Sequence, residues 1–215
     1  YGVKVDSALI DGALYIDQIS TGRLTEEAIA LTGLENPNSA AQLLTWLQDN
    51  GTSADNLQKA TVSDLLAGEL PESVRRVLEI RQQLGKTSIK KYVAMDTAKC
   101  TDERVRGLTQ YYGANRTGRW AGRMVQMQNL PRNYLKTLDN AREVVKKKNY
   151  EGLRLLYGNV PDTLSQLIRT AFIPSEGHKF VVADFSAIEA RVIAWLAGEQ
   201  WVNEVFATHG KIYEA

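Results

Sequence analysis

The chain has 215 residues, a formal net charge of +1 and one cysteine, Cys100. That length allows one large or two small domains with ample core, and a lone cysteine excludes an internal disulfide framework and fits a reducing cytoplasm. No apolar run reaches the roughly 18–20 residues of a membrane span and no stretch carries a signal-peptide pattern, while two separated histidines, His178 and His209, do not argue a metal cluster.

Gly2-Val3-Lys4-Val5 opens the chain as a short strand. Asp6 is placed to cap a helix carrying Leu9, Ile10, Leu14, Ile16 and Ile19. Thr21-Gly22-Arg23 reads as a turn, and a further helical pattern from Thr25 to Leu31 meets Gly33 as a stop. Asn36-Pro37-Asn38-Ser39 is a turn and a cap, and Ala40 to Leu47 is amphipathic up to Asp49-Asn50-Gly51. Helical patterns resume at Val62–Leu66 and, beyond Pro71, run from Val74 to Leu84.

Charge now becomes uneven. Arg75 to Lys148 holds 18 Lys/Arg against 6 Asp/Glu, whereas residues 1–74 hold 3 against 11 and residues 149–215 hold 5 against 8. A middle third this basic is the footprint of a phosphate-binding surface, with a solvated helical face as the plainer account. Val105, Leu108 and Tyr111-Tyr112 suggest short strands punctuated by Gly107, Gly113, Gly118 and Gly122. Leu135, Leu138, Ala141, Val144 and Val145 mark a helix ending at Lys146-Lys147-Lys148, a run that also complements a helix dipole. Leu153 to Tyr157 marks another, and Pro161 starts a third.

Phe180-Val181-Val182-Ala183 is an apolar, β-branched run of the kind a buried strand shows, and Asp184 ends it. Ile188, Val192, Trp195 and Leu196 recur at helical spacing and Gly198 closes the helix. Asp184 is therefore expected at a strand–turn–helix junction. A carboxylate there either caps the helix or is held outward by rigid backbone for chemistry.

The order of residues adds a family. Asp184-Phe185-Ser186-Ala187-Ile188-Glu189-Ala190-Arg191 resembles the first palm motif of family-A DNA polymerases, the group of bacterial DNA polymerase I, whose usual form is Asp-Tyr-Ser-Gln-Ile-Glu-Leu-Arg. Thr117-Gly118-Arg119-Trp120 followed by Gln126-Met127-Gln128-Asn129-Leu130-Pro131 is similar to the family's Thr-Gly-Arg-Leu, spacer, Asn-Leu-Gln-Asn-Ile-Pro. Gly2–Asp6, Asn36–Leu43 and Lys86–Tyr92 look like segments of the thumb, and Leu167–Pro174 like the strand that enters the palm. Leu167 stands where the family often has an arginine, and the 133–166 stretch is longer than in the cellular enzyme, closer to phage-encoded members.

The resemblance implies an α+β, predominantly helical fold: a helical thumb stalk plus part of an antiparallel palm sheet. Residues 1–103 would be thumb-like, 104–199 a partial palm with a helical insertion at 133–166, and 200–215 the start of the fingers. It implies that Asp184 is one of two aspartates holding a catalytic Mg²⁺ pair and that Glu189 crowds the sugar 2′-position. Ser186 and Arg169 would meet nucleotide or phosphate. Arg119, Gln126, Gln128 and Asn129 would line the primed duplex, and Lys86, Ser88, Lys90 and Lys91 would hold backbone phosphates. The chemistry agrees: Mg²⁺ takes hard oxygen ligands, amide and guanidinium donors suit the minor groove, and ammoniums and hydroxyls suit phosphate.

Primed double-stranded DNA and deoxynucleoside triphosphates are the implied partners, with no membrane. Exposed palm surface would favour self-association. The motif supplying the second metal-binding carboxylate is not found in the 215 residues, so the expectation is a fragment that binds primed DNA without extending it. The alternative is a stand-alone DNA-binding or interaction domain. A single-subunit RNA polymerase fits poorly, because Glu189 at the 2′-position would exclude ribonucleotides.

Overall fold

Capping chemistry sets the first helix. In the computed structural model, which describes residues 1–210, strand β1 (Val3–Val5) leads into helix α1 (Ser7–Thr32). Asp6 accepts a hydrogen bond from the Leu9 amide at 3.1 Å, and Gly33 closes the helix at φ 68°, where a side chain would be strained. The expected turn at Thr21-Gly22-Arg23 is instead helix interior. Gly22 costs about 1 kcal/mol there, but Ile16, Ser20, Leu24 and Ala28 stay in phase on one buried stripe, and that packing overrides the local preference.

Helices α2 (Ala40–Asp49), α3 (Lys59–Ala67) and α4 (Glu72–Leu84) enclose a small core of Leu43, Leu47, Val62, Val74, Val77 and Leu78. Ile80 of α4 packs on Leu24 and Ala28, so α4 lies along the distal part of α1. Arg76 braces that pairing with two bonds to Glu27, at 2.6 and 2.9 Å.

The remaining elements of this unit are α5 (Lys90–Ala98), β2 (Arg104–Val105), β3 (Thr109–Ala114), β4 (Arg119–Gly122), α6 (Leu138–Lys146), α7 (Tyr150–Tyr157), α8 (Val160–Leu167) and β5 (Phe172–Ile173). The main core gathers Leu9, Ile10, Ala13 and Ile16 of α1 with Tyr92, Met95, Val145, Leu153 and Leu164. Tyr92 is fully buried, and its hydroxyl donates to the Leu164 carbonyl at 2.9 Å. Three distant segments form one antiparallel sheet in the order β2-β1-β5, with Val3 opposite Val105 and Val5 opposite Phe172. Most of the expected Leu167–Pro174 strand is therefore not strand: Ile168–Ala171 is a 3₁₀ turn, and only Phe172–Ile173 pairs. The fold is α+β and predominantly helical, as expected.

A second compact unit begins at Glu176. It holds α9 (Ile188–Ala197) and α10 (Gln200–Thr208), packed through Ala194, Val202 and Phe206. The helix at 188 and its Gly198 stop match expectation. The strand at 180–183 does not form. An extended run needs a hydrogen-bonding neighbour to become a strand, and no described strand pairs with it, leaving Val181 and Val182 84% and 91% exposed. Of the stretch 200–215 expected to start the fingers, residues 211–215 lie outside the described residues. Among the described residues, no helix is long and apolar enough to cross a membrane.

The paired carboxylates give the fold an acid-labile edge. The Arg76 guanidinium holds Glu27 below the usual carboxylate range, and Arg106 pulls Asp102 down to about 2. A carboxylate whose folded pKa is depressed contributes stability above its unfolded value, near 4, and loses it as pH falls through the folded value. Urea midpoints are expected to hold from pH 7 to about 5 and to drop toward about 2. Arg76→Ala should shallow that acid limb, and an unchanged slope would deny the Glu27 contribution.

Candidate nucleic-acid interface

The hairpin β3–β4 and the loop after it carry one of the two specific sequence motifs. Its turn is built on Ala114, whose carbonyl accepts from Thr117 N at 3.0 Å and Gly118 N at 2.8 Å. Gly118 takes φ 66°, a left-handed position that favours glycine. Arg119 then begins β4, exposed and opposite Ala114.

Beyond β4 the chain folds back. Gln126 sits at φ 52°, and Met127–Asn129 forms one 3₁₀ turn closed by Asn129 N donating to the Gln126 carbonyl. Buried Val125 and Leu130 anchor the two ends of this loop, while Gln126, Gln128 and Asn129 face outward. A Cβ on Gly122 would lie 2.3 Å from Gln128 Oε1, so glycine there lets the amide lie against the hairpin. Trp120, Gly122 and the three amides line a cavity of about 300 Å³.

Two cations hold the loop. Lys91 Nζ donates to the Val125 carbonyl at 2.6 Å, and Arg169 Nη2 donates to the Leu130 carbonyl at 3.2 Å. The sequence suggests both as phosphate contacts; the structure gives each a main-chain partner at one end of the amide loop. Burial holds Lys91 below the ordinary lysine range. Gln166, which no motif singled out, accepts from Tyr134 N and Leu135 N at 2.7 and 3.0 Å and fixes the chain just after the loop. No local pattern marks that glutamine, since its partners are 31 and 32 residues away. Lys91→Ala is expected to cost about 1–2 kcal/mol in urea unfolding, because a charged bond to a buried carbonyl is lost. A change within about 0.3 kcal/mol would deny the clamp.

The other residues expected of a thumb divide. Lys86 pairs with Asp162, and Ser88 Oγ meets Ser165 Oγ at 2.9 Å. Burial raises the Asp162 pKa, but the bonds from Lys86 and Gln166 outweigh it and leave it lowered. Both pairs border a cavity of about 670 Å³ between the end of α4 and α8. Lys90 is exposed and makes no ion pair among the described residues.

Asp184, Ser186 and Glu189 lie together in the second unit, all exposed. Ala187, at φ 50°, occupies the cap position of α9 with no side-chain bond, so Asp184 does not cap the helix. Glu189 stands in the first turn, where the helix dipole favours a carboxylate. Arg191 ties the motif down: its Nε donates to the Ser186 carbonyl at 2.8 Å, and its guanidinium lies 4.2 Å over the Phe206 ring. Among the described residues no group of three or more His, Cys, Asp or Glu is placed to hold a metal ion. Asp184 offers a carboxylate, a hard oxygen donor of the kind Mg²⁺ takes.

The hairpin and the amide loop together present outward amides and arginines from a basic stretch of the chain. The sequence profile of DNA polymerase family A matches residues 18–215, so the chain belongs to DNA polymerase family A. A DNA polymerase of Bacillus phage SP02 is 58% identical over 214 residues, covering 100% of this chain and 33% of the phage protein. The chain thus spans about a third of the length of that relative. No solved structure matches it.

Proposed function

We propose that the chain is the part of a family-A DNA polymerase that grips primed duplex DNA and brings one carboxylate, Asp184, to a metal-dependent nucleotidyl transfer. The observation that carries this is the amide loop at 126–129, clamped at both ends and adjoining the Arg119 hairpin. Rigid amides and a guanidinium in that pattern suit the acceptors every base pair offers in the minor groove, so they register shape rather than sequence. In this reading residues 1–103 are thumb, 104–199 a partial palm with the 133–166 insertion, and 200–215 the start of the fingers.

In this reading Lys90 meets backbone phosphate, while Lys86, Ser88, Lys91 and Arg169 act by positioning. Ser186 lies toward the nucleotide, Glu189 crowds the sugar 2′-position, and deoxynucleoside triphosphates are the co-substrates in the cytoplasm. Bound Mg²⁺ would supply charge neutralisation at the transferred phosphate. With one carboxylate in hand, the 215-residue chain binds primed DNA and does not extend it.

Two measurements test this. Binding of primed duplex is expected to weaken by about 10²-fold between 50 and 200 mM salt, as release of counterions from roughly four phosphates requires. Salt-independent binding would count against the phosphate surface. Primer extension with Mg²⁺ and four deoxynucleotides is expected to stay at background for the chain and for Asp184→Asn alike. Extension that disappears in Asp184→Asn would mean a complete site and overturn the inactivity. The exposed Val181 and Val182 favour self-association, which light scattering reads directly.

A further inference from the structure

The β3–β4 hairpin carries aromatic rings that no core uses. Tyr111, Tyr112 and Trp120 are 72%, 60% and 58% exposed. The Tyr111 and Trp120 rings meet edge to face at 5.3 Å, and Tyr111 and Tyr112 lie 6.4 Å apart at a tilt. A regular hairpin would send neighbouring side chains to opposite faces. Here the ladder slips: Gln110 faces Ala121 and Ala114 faces Arg119, so Tyr111, Tyr112 and Gly113 together oppose Trp120. Such a bulge re-aims side chains. Tyr112 takes φ 52°, unfavourable for an aromatic residue. Gly118 makes room for its ring, since a Cβ there would lie 2.7 Å from Tyr112 Cε2.

We infer that this hairpin is a stacking platform for unpaired bases of single-stranded DNA. The inference rests on the DNA-binding reading above and extends it to a second substrate form. Charge selects the occupant: residues 104–138 contain seven Lys/Arg and no Asp/Glu, so the segment suits a polyanion rather than an acidic-poor peptide. Arg116 and Arg123 on the same segment make no ion pair among the described residues. Ring geometry selects the strand form. In a duplex the base faces are already stacked on each other, whereas every unpaired base offers a face to an aromatic side chain. The cavity beside Trp120 is lined by amides of Gln126, Gln128 and Asn129, which can bond the edge of a base stacked on the indole.

The test compares three probes on the 215-residue chain at one salt concentration: labelled oligo(dT) of about 12 nucleotides, an abasic strand of equal length and charge, and a blunt duplex. Oligo(dT) is expected to bind about tenfold more tightly than the abasic strand. Tyr111→Ala is expected to remove about that factor for oligo(dT) and to leave blunt-duplex binding within about twofold, while Tyr111→Phe keeps the oligo(dT) preference. Equal affinity for oligo(dT) and the abasic strand would overturn the platform while leaving the duplex reading intact. Because that comparison uses the unaltered chain, a variant that fails to fold does not blunt it. Salt-independent binding of the blunt duplex would instead overturn the DNA-binding reading itself.

Discussion

Gly12→Ala is expected to destabilise the chain by about 2–3 kcal/mol, while Gly22→Ala in the same helix stabilises it by about 0.5–1 kcal/mol. Alanine is the better helix former at both places, so propensity alone predicts two gains. Packing reverses the first. A Cβ on Gly12 would lie 2.1 Å from the Val145 carbonyl oxygen and 2.8 Å from its carbon, both main-chain atoms of α6 that cannot swing away. At Gly22 nothing lies within 4 Å. Overpacking of a tight helix contact costs about 1–3 kcal/mol and occasionally more, which exceeds the propensity gain. Urea unfolding followed by tryptophan fluorescence reads both signs. Shifts of the same sign in the two variants would mean that α1 and α6 do not approach through Gly12.

That contact reaches the candidate interface. Helix α6 packs with α8, and α8 runs into the turn that carries Arg169, the residue holding Leu130. Loosening α1 against α6 therefore loosens one end of the amide loop. Gly12→Ala should weaken duplex binding even where it leaves the chain folded.

What the sequence made legible was local. Asp6, Gly33 and Ser39 mark helix ends because a cap's partner is three or four residues away, and all three mark ends in the structure. The Thr117–Arg119 turn and the Gln126–Pro131 run were legible as a pair because their order, rather than their composition, is distinctive. The continuity of α1 through Gly22 was not legible, since it depends on a buried stripe whose partners come from elsewhere in the chain. Nor was the work of Lys91 and Arg169. A cation looks the same in sequence whether it meets phosphate or a carbonyl 34 or 39 residues away. Phe180–Ala183 shows the opposite failure: apolar, β-branched composition states a preference for strand, but only a neighbour with free main-chain groups turns that preference into a ladder.

Asp6→Ala is expected to cost about 3–4 kcal/mol, the largest loss from any single polar residue here. Its Oδ1 caps α1 at the Leu9 amide, a role worth about 1 kcal/mol. Its Oδ2 accepts from Arg142 Nη2 at 2.7 Å and Lys146 Nζ at 3.0 Å. The Asp6 and Arg142 side chains are only 11% and 16% exposed, so removing the carboxylate strands a guanidinium with little water. Breaking a fully buried pair costs about 3–5 kcal/mol; the more accessible Lys146, at 27%, keeps the loss here toward the lower end. Asp6→Asn preserves the cap and loses the charge, so about 2 kcal/mol should remain lost. The position explains the cost. Asp6 N donates to the Ala171 carbonyl at 2.8 Å, and Arg142 donates to the Thr170 carbonyl, so one carboxylate joins the start of α1, helix α6 and the turn bearing Arg169. Pairing Asp6→Asn with Arg142→Met should lose less than the sum of the two single variants, because each removes the same interaction. Strict additivity in that cycle would reduce Asp6 to a helix cap.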